Sequence, residues 1–243
     1  MGVVMPHTKR EGIGWSEHSW IKHDIAAKAV GGQVAAFRQR FPTAKMLLID
    51  GNAGDGFGVE LEQRDLFMTK CSRPTAQLLD ELAFMHDATL CLVEKDSDKR
   101  RSLITRFPKA IIISSHKEAA DIALGGYNYV LWLSDPCGYA GHGIEEMRKI
   151  ALHILFSDFV VILNELALRR VKAVRHSPYW FPHQKYVPML EPRWWLGQLC
   201  KRYLARTPLI KQSNGFHFRL LVVGDYLTQG VKRLRNVEII ARN

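Results

Sequence analysis

The amino-acid sequence reads as an α/β chain built on a doubly wound, mostly parallel sheet of seven strands, closed at one edge by a C-terminal antiparallel hairpin. Three observations lead there. Five short apolar runs alternate with amphipathic stretches of helical length, the pattern of βαβ units. The first run, KMLLID (45–50), ends in a glycine-rich turn, GNAGDGFG (51–58), as a buried parallel strand does at its carboxyl end. Two β-like runs near the end, 217–226 and 237–243, are separated by ten residues and can pair antiparallel.

Taken in order, 19–41 carries Ile21, Ile25, Ala29, Val34 and Phe37 at mixed helical steps, one amphipathic helix or two broken at Gly31-Gly32. Strand 45–50 and its turn follow. Ser72 and Pro74 then offer a cap and an early-turn proline to a helix bearing Leu78, Leu79, Leu82 and Met85. TLCLVE (89–94) reads as strand, DSDKRRSLITRF (96–107) as helix, KAIIIS (109–114) as strand, HKEAADIAL (116–124) as helix and YNYVLWLSD (127–135) as strand. GIEEMRKIALHILF (143–156) reads as helix and DFVVILN (158–164) as the fifth strand. An irregular stretch, 176–192, precedes a helix expected over RWWLGQLCKRYLAR (193–206).

With 47% hydrophobic and 24% charged residues, the chain of 243 falls outside disordered, collagen-like and repeat proteins, and no linker divides it. We expect a single domain over 1–243, with a helical segment at 1–40, a ligand-binding core at 41–169 and a basic, aromatic-rich part at 170–243. Charge is distributed unevenly. Residues 1–169 hold 20 Lys/Arg against 21 Asp/Glu, whereas 170–243 hold 14 against 3. A neutral body suits a small ligand, and a basic end suits a polyanion, most often nucleic acid. Cys71, Cys91, Cys137 and Cys200 lie far apart without metal-type spacing, so a reduced, cytoplasmic chain without a metal site is expected. No signal peptide is read at the start, no apolar run reaches bilayer length, and no membrane role is expected.

In an open α/β sheet the ligand lies beyond the carboxyl ends of the strands near the switch in strand order. Three clusters fall at such ends. Asp50-Gly51-Asn52-Ala53-Gly54-Asp55-Gly56 lets the main chain approach a ligand, but its GxxGxG spacing is neither the dinucleotide fingerprint nor a P-loop. Glu94, followed by Lys95, ends a strand where nucleotide-binding sheets hold ribose hydroxyls. Ser134-Asp135-Pro136-Cys137-Gly138-Tyr139 offers a carboxylate and a proline carbonyl to the two hydrogens of an exocyclic amine, with Tyr139 to stack on a base.

IDGNAGDGF (49–57) resembles the first motif of class I S-adenosylmethionine-dependent methyltransferases, specifically the D-G-x-A-G-x-G form of the three-Cys-motif partner protein family. That family and the ribosomal RNA adenine-N6 methyltransferases also carry a Lys-His pair in the preceding helix, here Lys22-His23. Ser72-Arg73-Pro74 is similar to an S-x-P element, LVEKD (92–96) to the second motif, and SDPCG (134–138) to a D-P-F-G or D-P-P-Y motif. The resemblance spans about 20–140 and implies a Rossmann-like methyltransferase fold with S-adenosylmethionine as cofactor. It implies that Asp50, Gly51, Asn52, Ala53, Gly54 and Gly56 surround the methionine part, that Glu94 with Lys95 takes the ribose, and that Lys22 and His23 complete the cofactor set. Asp135 then lies where the methyl acceptor enters, and the partner-protein family implies a protein partner.

Cys137-Gly138 stand where an adenine-N6 enzyme has a proline and an aromatic, which leaves other readings open: a methyltransferase-like binding protein without catalysis, or an RNA 5-methylcytosine enzyme with Cys137 as nucleophile. The reading favoured here is methyl transfer to a nucleic-acid base, with Asp135, Pro136, Cys137 and Tyr139 as the catalytic set. Arg169, Arg170, Lys172, Arg175, Lys185, Lys201 and Arg202, interleaved with Tyr179, Trp180, Phe181, Trp194 and Trp195, are the expected nucleic-acid surface. His176 and His183 lack a partner ligand at metal spacing.

Overall fold

A 22-residue helix, α1 (Ser19–Arg40), opens the computed structural model of the chain, which describes residues 19–56, 74–136, 141–174, 178–211, 217–234 and 236–242. α1 runs unbroken through Gly31-Gly32. Two glycines cost a helix interior about 1 kcal/mol each relative to alanine. Burial of Ala26, Ala29, Val30 and Val34, all fully enclosed, offsets this.

The strands are β1 (Met46–Asp50), β2 (Thr89–Val93), β3 (Ile111–Ile113), β4 (Tyr129–Ser134), β5 (Phe156–Leu163), β6 (Tyr203–Arg206), β7 (Ile210–Lys211), β8 (His217–Gly224) and β9 (Glu238–Ala241). The remaining helices are α2 (Thr75–Met85), α3 (Ser97–Arg106), α4 (His116–Leu124), α5 (Ile144–His153), α6 (Glu165–Ala173), α7 (Pro192–Leu199) and the single turn α8 (Gln229–Lys232); a 3-10 stretch, Pro178–Leu190, joins α6 to α7. Asp96, Ser115, Asn164 and Thr228 cap α3, α4, α6 and α8 with their side chains. The expected cap Ser72 lies outside the described residues. Pro74 occupies the cap position of α2 and gives no side-chain bond.

Among the described residues the sheet has nine strands, in the order β3-β2-β1-β4-β5-β8-β6-β9, with β7 also paired to β8. β1 to β5 are parallel, β8 is antiparallel to β5 and β6, and β9 is antiparallel to β6. Two expectations are corrected here. The strand count exceeds seven by β6 and β7, and β8 and β9 do not form a hairpin, because β6 lies between them. The helix expected over 193–206 stops at Leu199, where Cys200 takes a left-handed backbone (φ 51°). Leu204 and Ala205 are then buried in succession on opposite faces of the sheet, which a strand permits and an amphipathic helix does not.

Two apolar layers sandwich the sheet. One face holds Leu48, Leu92, Leu131, Leu133 and Ile162 beneath α1, α2 and α3. The other holds Ile49, Val93, Trp132, Val161 and Leu163 beneath α4, α5, α6 and α7. The connections therefore change face between β1 and β4, the switch point where ligands bind. A buried polar set fixes α1 to the sheet: Gln33 donates to Asp158 (3.1 Å) and to the Tyr226 carbonyl (2.9 Å), and accepts from the Thr228 amide (2.9 Å). Tyr129 also donates to Asp158, at 2.8 Å. Among the described residues no helix is long and apolar enough to cross a membrane.

Candidate active site

β1 delivers Asp50 to the switch point with its side chain fully buried. Thr75 Oγ1 donates to Oδ2 (2.5 Å) and the Asn52 amide to Oδ1 (3.0 Å). Burial pushes the Asp50 carboxyl up to about 6, against the pull of these two bonds. The turn beyond is strapped to both neighbouring strands: the Gly51 amide donates to the Leu133 carbonyl of β4 (2.8 Å), and the Ala53 amide to the Val93 carbonyl of β2 (3.1 Å). At Gly51 a Cβ would stand 2.6 Å from Trp132 Nε1, so only glycine fits beneath that ring. Gly54 has a left-handed φ of +64°, and a Cβ there would meet nothing within 4 Å among the described residues. Among the described residues nothing covers the main chain at the middle of the turn, while Gly56 closes it against Leu103 and Phe107.

Asp135 follows β4 on the α1 side of the sheet. Its Oδ2 receives Lys22 Nζ at 2.7 Å and His23 Nε2 at 3.3 Å. Burial alone would raise this carboxyl, but the Lys22 charge and the two donors outweigh it and hold it at about 2. Since an ionised carboxylate only accepts, His23 presents Nε2–H to it. The Lys22-His23 pair, expected around the cofactor, makes its contacts with Asp135. Oδ1 has no partner among the described residues. Cys137 and Tyr139 lie outside the described residues, as does Arg175.

A second polar set occupies the opposite face and was not anticipated. Ser134 Oγ lies 3.2 Å from Asn52 Oδ1 and 2.8 Å from His142 Nδ1. One hydroxyl proton serves one acceptor: if Ser134 donates to Asn52, His142 donates Nδ1–H to Ser134, which leaves Nε2 as a bare acceptor. That Nε2 is buried without a partner among the described residues. Burial drives His142 down to about 4, so its ring is neutral near pH 7. Asn52 Nδ2 donates to the Gly141 carbonyl (3.2 Å), and His116 Nε2 to the Gly51 carbonyl (2.7 Å). The glycine turn is therefore held from β2, β4, α4 and the 141–143 segment at once. The one signal for His142 was its place between two glycines just after a strand end, a stretch that can fold a ring inward.

Glu94 lies two residues past the Leu92 partner of Asp50, in the loop after β2. Its Oε1 accepts from the Asp96 amide (2.9 Å), and Oε2 has no partner among the described residues. Lys95 is exposed, its carbonyl accepting from Arg100. No group of three potential metal ligands gathers among the described residues.

In the basic part the structure corrects one assignment. Lys201 is 2% exposed and its Nζ is bound to Asp225 at 2.8 Å, so it is a structural cation rather than a surface one. Trp195 is likewise core, its indole donating to the Met189 carbonyl, with Trp194 edge-on at 5.1 Å. Arg169, Arg170, Lys172, Lys185 and Arg202 are exposed. Arg169 bonds Glu165, and Lys185 Nζ stands 5.1 Å from the Tyr186 ring centre.

The sequence matches no family model and no curated protein. Among solved structures, the chain is similar to the Legionella pneumophila protein LPL1258 (10% identity, 88% of this chain and 96% of that one, TM-score 0.49). It is similar also to the plantazolicin methyltransferase BpumL in complex with SAH (12% identity, 86% of each chain, TM-score 0.46). A third similar structure is a methyltransferase from Pyrococcus furiosus (12% identity, 79% and 81%, TM-score 0.38).

Proposed function

We propose that this chain is an S-adenosylmethionine-dependent methyltransferase of the class I kind, acting on an exocyclic amine of a nucleic-acid base. The observation that carries the reading is the glycine turn strapped across the switch point, uncovered at Gly54 among the described residues, with an ionised Asp135 at the tip of the adjoining strand. A doubly wound sheet finished by antiparallel strands agrees with it, as does the resemblance of residues 20–140.

The residues fit the cofactor. Main chain at Gly54 admits the methionine part without Cβ obstruction, and Glu94 Oε2 suits the ribose hydroxyls. When bound, S-adenosylmethionine supplies a methyl group on a positively charged sulfur. Asp135 Oδ1 and the Pro136 carbonyl accept the two N–H bonds of the incoming amine and direct its lone pair toward the glycine turn. Held near 2, Asp135 is an acceptor and an orienter at neutral pH and does not act as a base. Lys22 and His23 fix its rotamer, so positioning is built in before substrate arrives.

Isothermal titration with the cofactor tests the first half: heat of binding is expected, and none from a folded sample refutes it. Asp135→Ala should abolish tritium transfer to nucleic acid while largely sparing cofactor affinity. Retained transfer removes Asp135 from the mechanism. A second reading, a binding protein that keeps the sheet without catalysis, is favoured by the engagement of Asp135 Oδ2 by two donors from α1. Bound cofactor with no transfer to any nucleic acid supports it.

A further inference from the structure

The carboxyl edge of the sheet carries a second concavity beyond Asp135. A pocket of about 250 Å³ is lined by Arg169 and Lys172 of α6, Arg206 of β6 and Arg219 of β8, together with Glu165, Leu190 and Glu191. It is smaller than the roughly 300–1,000 Å³ pockets that enclose whole small ligands, so it suits one charged group of a larger molecule.

Register fixes its position. Ser134 of β4 pairs Val161 of β5, Val161 pairs Leu221 of β8, and Leu221 pairs Arg206 of β6. Arg219 is two residues further toward the carboxyl edge, opposite Leu163. At about 4.8 Å per strand step, Arg219 stands roughly 10 Å laterally from the β4 tip that bears Asp135. Arg206 and Arg219, in step with Leu204 and Leu221, lie toward the same edge but on the α6 face, so a strand that delivers its base to Asp135 on the α1 side passes over the strand tips.

Glu165 organises the cluster. Its side chain is 5% exposed, with Oε1 receiving Arg169 Nε (2.8 Å) and Nη2 (2.5 Å) and Oε2 receiving Arg219 Nε. Arg219 Nη1 is also spent on the Thr207 carbonyl (2.9 Å), and Arg206 is oriented by Glu238. Both Glu165 oxygens are thus committed. Arg169 Nη1, Arg206 Nη1 and Arg219 Nη2 keep free donors among the described residues, and Lys172 is exposed beside them. A carboxylate that locks guanidinium planes and leaves their outer N–H groups facing a pocket pre-orients them for a tetrahedral oxyanion.

We infer that this pocket binds a backbone phosphate of a single-stranded nucleic acid whose neighbouring base enters at Asp135. The inference rests on the methyltransferase reading for the base, but the phosphate contact is tested by binding alone. The probe is a fluorescein-labelled single-stranded oligonucleotide, with anisotropy followed across a salt series for the full chain. Lys172→Gln and Arg169→Gln alter exposed side chains, and circular dichroism melts verify their folding. Arg242→Gln is the control, since Arg242 follows the β9 residue that pairs Tyr203, at the far end of β6 from Arg206.

Each pocket variant is expected to lower affinity several-fold and to reduce the slope of log K against log salt by about 0.7, the value for one phosphate contact on a single strand. The control should leave both unchanged. Wild-type binding with slopes unchanged in both pocket variants overturns the subsite and leaves the nucleic-acid reading standing. Absence of oligonucleotide binding by the wild type overturns both. Equal competition by polyglutamate, lost in the same variants, overturns the phosphate assignment in favour of an acidic protein surface.

Discussion

Lys22 Nζ lies 2.7 Å from Asp135 Oδ2, joining the first helix to the tip of β4 across 113 positions of chain. The pair is largely enclosed, with Lys22 24% and Asp135 10% exposed. Because Asp135 is held near 2, below its ordinary 3.8, its contribution to stability is complete above about pH 4 and is lost as pH falls through 2. Lys22→Met should cost about 1–2 kcal/mol at pH 7, discounted from a fully buried pair for the partial exposure of the lysine. Urea melts between pH 7 and pH 2.5 check this: the acid-side loss should shrink in the variant, and an unchanged profile removes Lys22 as its source.

Asp50 has the opposite sign. Its carboxyl is raised to about 6, so the folded state holds a proton that the unfolded chain releases near 3.8. Stability therefore falls as pH rises from about 4 to 6, and the penalty is fully present above that. Asp50→Asn should raise stability at pH 7.5 by about 1–3 kcal/mol and weaken cofactor binding about tenfold or more, the trade expected of a residue kept for function. Paired thermal melts and cofactor titrations read the two effects. A variant less stable than wild type at pH 7.5 would show that the Thr75 and Asn52 bonds outweigh the burial of charge.

The parallel half of the sheet was legible because strands buried on both faces read as unbroken apolar runs, and MLLID, TLCLV and FVVIL are such runs. The last third was not. YLAR follows Trp195, Leu196 and Leu199 at helical spacing, and nothing local marks Cys200 as a left-handed stop; only the neighbouring β8 and β9 make 203–206 a strand. The positions of Asp50, Asn52 and Asp135 at or just past strand ends were legible. Lys22 and His23 were legible as a pair, but their partner Asp135 was not, because sequence spacing cannot tell which carboxylate a helix will face. Lys201 looked like a surface cation for the same reason. Its burial follows from Asp225, 24 residues away and beyond any helical or strand period.

His142 tests the unanticipated half of the site. Lowered to about 4, it stays neutral while the same residue in the unfolded chain takes a proton near 6.5, so stability falls as pH drops through that interval. Its ring resonances should show no titration above about pH 5 by NMR. His142→Ala should cost about 2–4 kcal/mol, from the lost ring volume and from Ser134 left short of a partner. A midpoint near 6.5 would mean that the ring is open to solvent and the Ser134–Asn52 arrangement is not held by it.

The glycine turn separates structural from functional need within four residues. At Gly51 an added methyl collides with Trp132 Nε1 at 2.6 Å and stands 3.3 Å from the Leu133 carbonyl, so Gly51→Ala must displace a buried indole from β4. The expected cost is about 3 kcal/mol or more. At Gly54 the methyl meets nothing among the described residues, and Gly54→Ala should cost only the left-handed backbone strain of about 1 kcal/mol. Yet that methyl would project into the space the cofactor is proposed to fill. Gly54→Ala should thus melt within a few degrees of wild type and lose cofactor affinity, while Gly51→Ala should lose the fold first. Thermal melts with and without cofactor decide it: a Gly54→Ala protein stabilised by the cofactor as much as wild type would mean that the donor binds away from this turn.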